Sequence, residues 1–151
     1  MKTAIVYYSK HHGNTKKVLD ALKNLYDVTL LDITADKNID LTQFDIIGFA
    51  SGIYYQTFNK SVLKAASNVP VGKNVFFIYT CGVMRKNYIK DIEKAVSGRN
   101  VKVLGSYGCK GYDTFGPFKL IGGIAKKRPN NEDIAGAVDF YGKILSEAGE
   151  K

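Results

Sequence analysis

The sequence predicts an α/β fold: a doubly wound parallel sheet of five strands in the order 2-1-3-4-5, covered by helices on both faces and so three-layered. Three observations predict it. Five short runs rich in β-formers are nearly continuous in apolar residues, as strands buried on both faces are. Segments with apolar residues three or four positions apart separate most of these runs. A length of 151 residues with 45% hydrophobic content suits one sizeable core, so a single domain over 1–151 is expected.

The first strand is TAIVYY at 3 to 8, and Val18, Leu22 and Leu25 mark the helix after it. VTLLDI at 28 to 33 is the second strand; DIIGFAS at 45 to 51 is the third, followed by helical spacing through Val62, Ala66 and Val69. NVFFIYT at 74 to 80 leads to Ile89, Ile92 and Val96, and VKVLGSYG at 101 to 108 completes the sheet. The last helix carries the clearest stripe: Ile134, Val138, Tyr141, Leu145 and Ala148 alternate steps of four and three, with charged or polar residues opposite. Before it, CKGYDTFGPFKLIGGIAKKRPN at 109 to 130 combines glycine, aromatic and basic residues, in a long loop of the kind that is usually functional or mobile. Only 3 prolines and no low-complexity linker leave a second domain nowhere to begin.

No run of about 18 apolar residues is present, and KTAIVYY enters the strand pattern without a charged leader and cleavage site. A soluble, unexported protein without a membrane span is expected. Cys81 and Cys109 are too few for a disulfide framework and have no His or Cys at metal-ligand spacing, which points to a reducing cytoplasm. They follow the fourth and fifth strands, neighbours in the expected order, yet small apolar filling is the commoner use of such residues. The 22 Lys and Arg against 14 Asp and Glu give a net charge of +8, which suits nucleic acid, an anionic membrane or acidic partner proteins and by itself selects none. No RNA-binding signature accompanies the charge and the basic residues are scattered, so nucleic acid is not the expected partner.

Ligands of open parallel sheets sit beyond the carboxyl ends of the strands where the strand order reverses, here between strands one and three. Ser9, Lys10, His11, His12, Gly13, Asn14 and Thr15 leave strand one and open the first helix. Unpaired backbone N–H groups and the positive end of the helix dipole attract an anion there. Gly13 permits close backbone approach, and Ser9, Asn14 and Thr15 carry donors for phosphate oxygens. Ordinary N-capping by Asn14 or Thr15, worth about 1 kcal/mol, is the competing use of the same residues. A nucleoside triphosphate is disfavoured, because G-x-x-x-x-G-K-[ST] is absent.

With S-K-H-H-G-N-T after its first strand, the chain resembles the flavodoxin family, whose loop there commonly reads Ser/Thr-x-Thr-Gly-Asn-Thr and binds the phosphate of FMN. The order of elements agrees over the whole chain. Gly13, Asn14 and Thr15 stand in register, Ser9 lies one position outside the usual first hydroxyl, and His12 replaces a threonine. The resemblance implies that Ser51, Gly52, Ile53, Tyr54 and Tyr55, in A-S-G-I-Y-Y-Q-T-F-N-K after strand three, contact the flavin. They do so through a peptide that reorients on reduction and through flat or apolar side chains, core packing being the other use of each tyrosine. It implies likewise that Thr80, Cys81, Gly82 and Val83, in T-C-G-V-M-R-K, meet the pyrimidine edge.

Family members often carry an aromatic and acidic residues just beyond that point, whereas this chain has Met84, Arg85 and Lys86. A cation about 8 Å from a reduced, anionic flavin contributes roughly 2 kcal/mol before screening, at an effective dielectric near 20. A midpoint potential less negative than that of acidic flavodoxins is therefore expected.

The function this resemblance implies is electron transfer through noncovalently bound FMN between redox partner proteins, with acidic partners suited to the charge. No catalytic residue and no metal ligand set is assigned. The alternative is a flavodoxin-like flavoenzyme that reduces a quinone or oxidises a porphyrinogen-type substrate, with Tyr112, Phe115 and Phe118 building an apolar pocket. Response-regulator receivers share the expected sheet order but need an acidic pair after strand one and an aspartate ending strand three, where this chain has Ser9-Lys10 and Ser51-Gly52. Phosphatases of the C-x5-R type need a cysteine in the first loop, which has none.

Overall fold

The structure, a computed structural model, describes residues 1–10, 12–113 and 122–149. In order the chain forms β1 (Thr3–Tyr8), α1 (Asn14–Leu25), β2 (Val28–Asp32), β3 (Ile46–Tyr54), β4 (Thr57–Phe58), α2 (Lys60–Ser67), β5 (Asn74–Cys81), α3 (Lys90–Val96), a short turn of 3-10 helix (Ser97–Arg99), β6 (Lys102–Lys110) and α4 (Asn131–Gly149). The parallel sheet is ordered β2-β1-β3-β5-β6, which is the expected doubly wound arrangement with the two-residue β4 set aside. Thr3 pairs with Val28 on one side and Ile46 on the other; Asn74 pairs with Ile46 and Lys102.

Alternate residues of each strand enter different layers, because successive side chains point to opposite faces. Ala4, Val6, Phe49 and Phe77 pack with Val62 and Ala66 of α2 and Ile92 of α3. Ile5, Tyr7, Ala50 and Ile78 pack with Val18 and Leu22 of α1 and Tyr141 of α4 on the other face. Full burial of a Phe or Ile side chain contributes about 1.5–3 kcal/mol, so β1, β3 and β5 form the rigid centre. The edge strands β2 and β6 are covered only in part, and the two-sided burial expected of every strand does not extend to them.

Three details depart from the sequence pattern. Leu25 is 65% exposed, and Leu19 fills the core in its place, because α1 turns its Val18, Leu19 and Leu22 edge to the sheet. On α4 the deeply buried line runs through Asp133, Ala137, Tyr141, Ile144 and Ala148, rotated one residue from the expected stripe at its first, second and fourth positions. The rotation follows from Asp133, whose carboxylate takes both Arg128 Nε at 2.6 Å and Nη2 at 2.7 Å and also accepts the Asn130 N–H at 2.8 Å. Asn130 Oδ1 accepts the Asp133 N–H at 3.0 Å in return, a reciprocal cap that sets how α4 starts. Finally, β4 folds back on β3 as an antiparallel hairpin, with Ile53 opposite Phe58 and Tyr54 opposite Thr57. Its turn residues Tyr55 and Gln56 have φ of 50° and 67°, the two positive values that a tight hairpin turn needs. The absence of Asn-Gly there concealed it.

Among the described residues, no helix is long and apolar enough to cross a membrane. The register of α1 gives a direct test: Leu22→Ala is expected to cost about 2–5 kcal/mol in urea denaturation and Leu25→Ala less than about 0.5 kcal/mol.

Candidate functional site

The carboxyl ends of β1, β3, β5 and β6 surround a cleft at the point where the strand order reverses. Ser9, Lys10, Asn14 and Thr15 line one side and Gly52, Ile53 and Tyr54 a second. Thr80, Cys81 and Gly82 line a third, and Gly111, Tyr112 and Asp113 close the fourth.

At the first wall, α1 begins with Gly13 as N-cap in the left-handed region, φ 64° and ψ 27°, with no side-chain cap and no acidic residue in the first turn. Glycine takes that conformation at no steric cost. Neither Asn14 nor Thr15 serves as the cap that the sequence left open, because both side chains are buried and committed elsewhere. Thr15 Oγ1 lies 2.8 Å from Thr80 Oγ1, and Asn14 Nδ2 donates to the Tyr112 carbonyl at 2.7 Å. Asn14 Oδ1 is buried without a hydrogen-bond partner, on a residue only 7% exposed. Ser9 Oγ accepts the Lys16 N–H at 3.1 Å, which leaves its own proton for another acceptor. A helix start capped by no side chain other than Ser9, whose hydroxyl proton stays available, suits an anion, and the orphaned Asn14 oxygen suits a hydroxyl donor.

Tyr54 forms the second wall. Its hydroxyl accepts the Lys10 backbone N–H, and its ring meets Tyr8 edge-on at 5.8 Å and 88°. Burial first, then the neighbouring Tyr8 and Asp113, push the phenol up to about 12, so it is neutral at physiological pH. The cleft is narrow, with about 30 Å³ open to the centres of water-sized molecules.

Of the fourth wall the sequence reading named only Tyr112, for the flavoenzyme alternative, and missed Gly111 and Asp113. Tyr112 stacks on His12 with centroids 4.1 Å apart and planes at 27°, which ties the segment after β6 to the loop after β1. Asp113 exchanges backbone hydrogen bonds of 2.9 and 2.8 Å with Ile124. The side chains of both close over Gly82, where a Cβ would come 2.7 Å from Asp113 Cβ and 2.8 Å from Ile124 Cδ1. The only signal in the sequence was Lys110-Gly111-Tyr112-Asp113 standing directly at the carboxyl end of the last strand.

Several expected site residues stand outside the cleft wall. His12 is occupied with Tyr112 and Gly13 with the start of α1. Ser51 is fully buried, its Oγ donating to the Gly52 carbonyl at 2.6 Å and accepting the Asn59 N–H at 3.0 Å. Tyr55 is 87% exposed at the hairpin tip, and Val83 faces solvent while its carbonyl accepts the Tyr88 hydroxyl at 2.8 Å. His11, Phe115 and Phe118 lie outside the described residues.

Arg85 and Lys86 are exposed and line a separate groove with Tyr79, Tyr88 and Ile89. The charged side chain that closes over the cleft beside Gly82 is Asp113, opposite in sign to the one on which the expected rise in potential rested. The two cysteines are free and buried. Thr80, not Cys81, pairs with Cys109, so the two thiols point to opposite faces of the sheet. Cys81 Sγ instead meets Met84 Sδ at 3.2 Å and the Cys109 carbonyl at 3.7 Å.

A family model described as the flavodoxin domain matches residues 5–105. An uncharacterized protein of Methanocaldococcus jannaschii is 33% identical over 148 residues, covering 96% of this chain and 99% of that protein. Oxidised flavodoxin 2 from Bacillus cereus superposes with a TM-score of 0.70 at 13% identity, over 96% of this chain and 99% of its own. A flavoprotein from Lactobacillus acidophilus, solved in complex with FMN, gives 0.55 at 21% identity, over 71% of this chain and 92% of its own. Likeness at these identities shows a shared fold.

Burial pushes both thiols from an ordinary value of 9.0 up to about 12. Above about pH 9 the unfolded chain sheds these protons while the native chain keeps them, so stability falls as pH rises toward 12. Urea midpoints at pH 8 and pH 10 are expected to show the decline, and the double variant Cys81→Ala, Cys109→Ala to make it shallower.

Proposed function

The chain belongs to the flavodoxin family, and from that membership we propose that it holds FMN noncovalently in this cleft and carries electrons between protein partners in the cytoplasm. One observation carries the reading: the start of α1, where Gly13 offers no capping side chain, Ser9 Oγ takes the Lys16 N–H and keeps its own proton, and the Asn14 oxygen is unpartnered. Those groups match a phosphate ester attached to a polyol chain. The first-turn amides and Ser9 suit the phosphate, and Asn14 Oδ1 suits a ribityl hydroxyl because its Nδ2 is already committed to Tyr112.

FMN, when bound, supplies the group that accepts and releases electrons. What the chain contributes is orientation and electrostatics. Gly52, Ile53 and Tyr54 on one side and Thr80, Cys81 and Gly82 on the other are the surfaces available to a flat ring. The cleft is narrow, and Tyr54, whose hydroxyl takes the Lys10 amide, is the side chain whose movement widens it for a tricyclic ring. It sits on the β3–β4 hairpin, whose turn residues Tyr55 and Gln56 hold conformations costing on the order of 1 kcal/mol or more each for side chains of their kind. Asp113 places a carboxylate beside Gly82, where it opposes the arrival of negative charge. Two free, buried cysteines fit a reducing compartment.

Purified protein is expected to be yellow and to release FMN on heating; protein that takes up no FMN overturns the reading. Ser9→Ala is expected to weaken FMN by about tenfold or more, the worth of a hydrogen bond to a charged group, while changing riboflavin less than about twofold. Equal losses for both ligands in fluorescence titrations would place the phosphate elsewhere. Asp113→Asn is expected to raise the midpoint potential by about 40–90 mV in a spectroelectrochemical titration, the equivalent of roughly 1–2 kcal/mol per electron.

A further inference from the structure

We infer that the groove beside the cleft is a docking site for an acidic protein partner, which on binding brings its own redox centre over the cleft. The inference rests on the flavin reading for its purpose, and on surface and charge alone for its contacts.

Cleft and groove share one loop. Cys81 and Gly82 line the cleft, and a few residues on, Arg85, Lys86 and Lys90 rim a groove of about 690 Å³ that Tyr79, Tyr88 and Ile89 also line. Val83 and Met84 stand between the two, 36% and 44% exposed, an apolar step on an otherwise charged surface. The step is held firmly: the Tyr88 hydroxyl donates to the Val83 carbonyl at 2.8 Å, and Tyr88 meets Tyr79 edge-on at 5.8 Å. A partner seated in the groove therefore lies within one loop of the cleft.

The charge is predominantly positive. Glu93 is the sole acid among the groove's lining residues, against its three cations. Lys10, Lys126 and Lys127 add exposed cations from the segments after β1 and β6. The ion pairs among the described residues join Lys16 to Asp20 and Arg128 to Asp133, so none of these six cations is spent on one. Cations outside these ion pairs, beside an exposed apolar centre, suit the rim and core of a protein interface, complementary to a negative surface and able to steer its approach. A phosphate backbone would gain nothing from Val83 and Met84, which favours protein over nucleic acid.

The test is calorimetric binding to an acidic [2Fe–2S] ferredoxin at low ionic strength, with the protein both loaded with FMN and free of it. The double variant Arg85→Glu, Lys86→Glu is expected to weaken the complex about tenfold or more. The double variant Lys37→Glu, Lys64→Glu makes the same change in net charge at exposed positions beside α2, and is expected to change affinity less than about twofold. Equal losses in the two variants, no saturable complex, or tighter binding to duplex DNA at the same salt would each overturn the inference. Protein that takes up no FMN yet binds the ferredoxin through Arg85 and Lys86 keeps the groove and sinks the flavin reading. FMN-loaded protein that forms no complex does the reverse.

Discussion

Two buried polar side chains in the first turn of α1 hold the functional end of the sheet together. Thr15 bonds to Thr80 at the end of β5, and Asn14 bonds to the Tyr112 carbonyl beyond β6. Groups buried at this depth must find partners, and losing one costs about 1–3 kcal/mol for the partner left unpaired. The two bonds therefore lock the loop after β1 to the far side of the cleft. Because these side chains are committed to architecture, anchoring an anion falls to backbone amides and to Ser9. Gly13 starts the helix with no capping side chain of its own, so of the first-turn amides only that of Lys16 is taken by a side chain, Ser9.

The same economy runs through the charges. Close to the cleft, ionisable groups are few and mostly neutral: burial keeps the Tyr54 phenol and both thiols protonated. Lys10 and Asp113 are the exceptions. Farther out, the Arg128 guanidinium holds the Asp133 carboxyl below its ordinary range, with the Asn130 N–H adding to the effect. That pair fixes the start of α4, and the Arg128 carbonyl in turn accepts the Tyr112 N–H at 2.9 Å, so the wall of the cleft is braced from behind. The net positive charge thus belongs to the solvated surface, where it acts on approaching molecules more than on the cleft itself.

Tyr54 links these two themes. Its hydroxyl takes an amide from the very loop suited to an anion, and its ring occupies the space a flat ligand would need. The β3–β4 hairpin that carries it turns through two successive non-glycine residues at positive φ, Tyr55 and Gln56. A rigid wall on the α1 side and a strained, exposed hairpin opposite it assign anchoring to the first and adjustment to the second.

The buried strands, most of the helices and the order of the sheet were legible in the sequence, because hydrophobic period and strand–helix alternation are local signals with few topological solutions. The cleft's position followed from that order, and with it Ser9, Asn14, Thr15, Thr80 and Gly82. What the chain pattern did not contain was the outcome of contacts between distant residues. Asp113 reaches Gly82 and Asn14 reaches Tyr112. Arg85 and Lys86 follow the cleft in sequence, yet line the neighbouring groove. Local sequence determined which segments are strand or helix and where their ends gather. Only the tertiary structure decided which side chains face the cleft, because that depends on partners some thirty to a hundred positions away that no periodicity records.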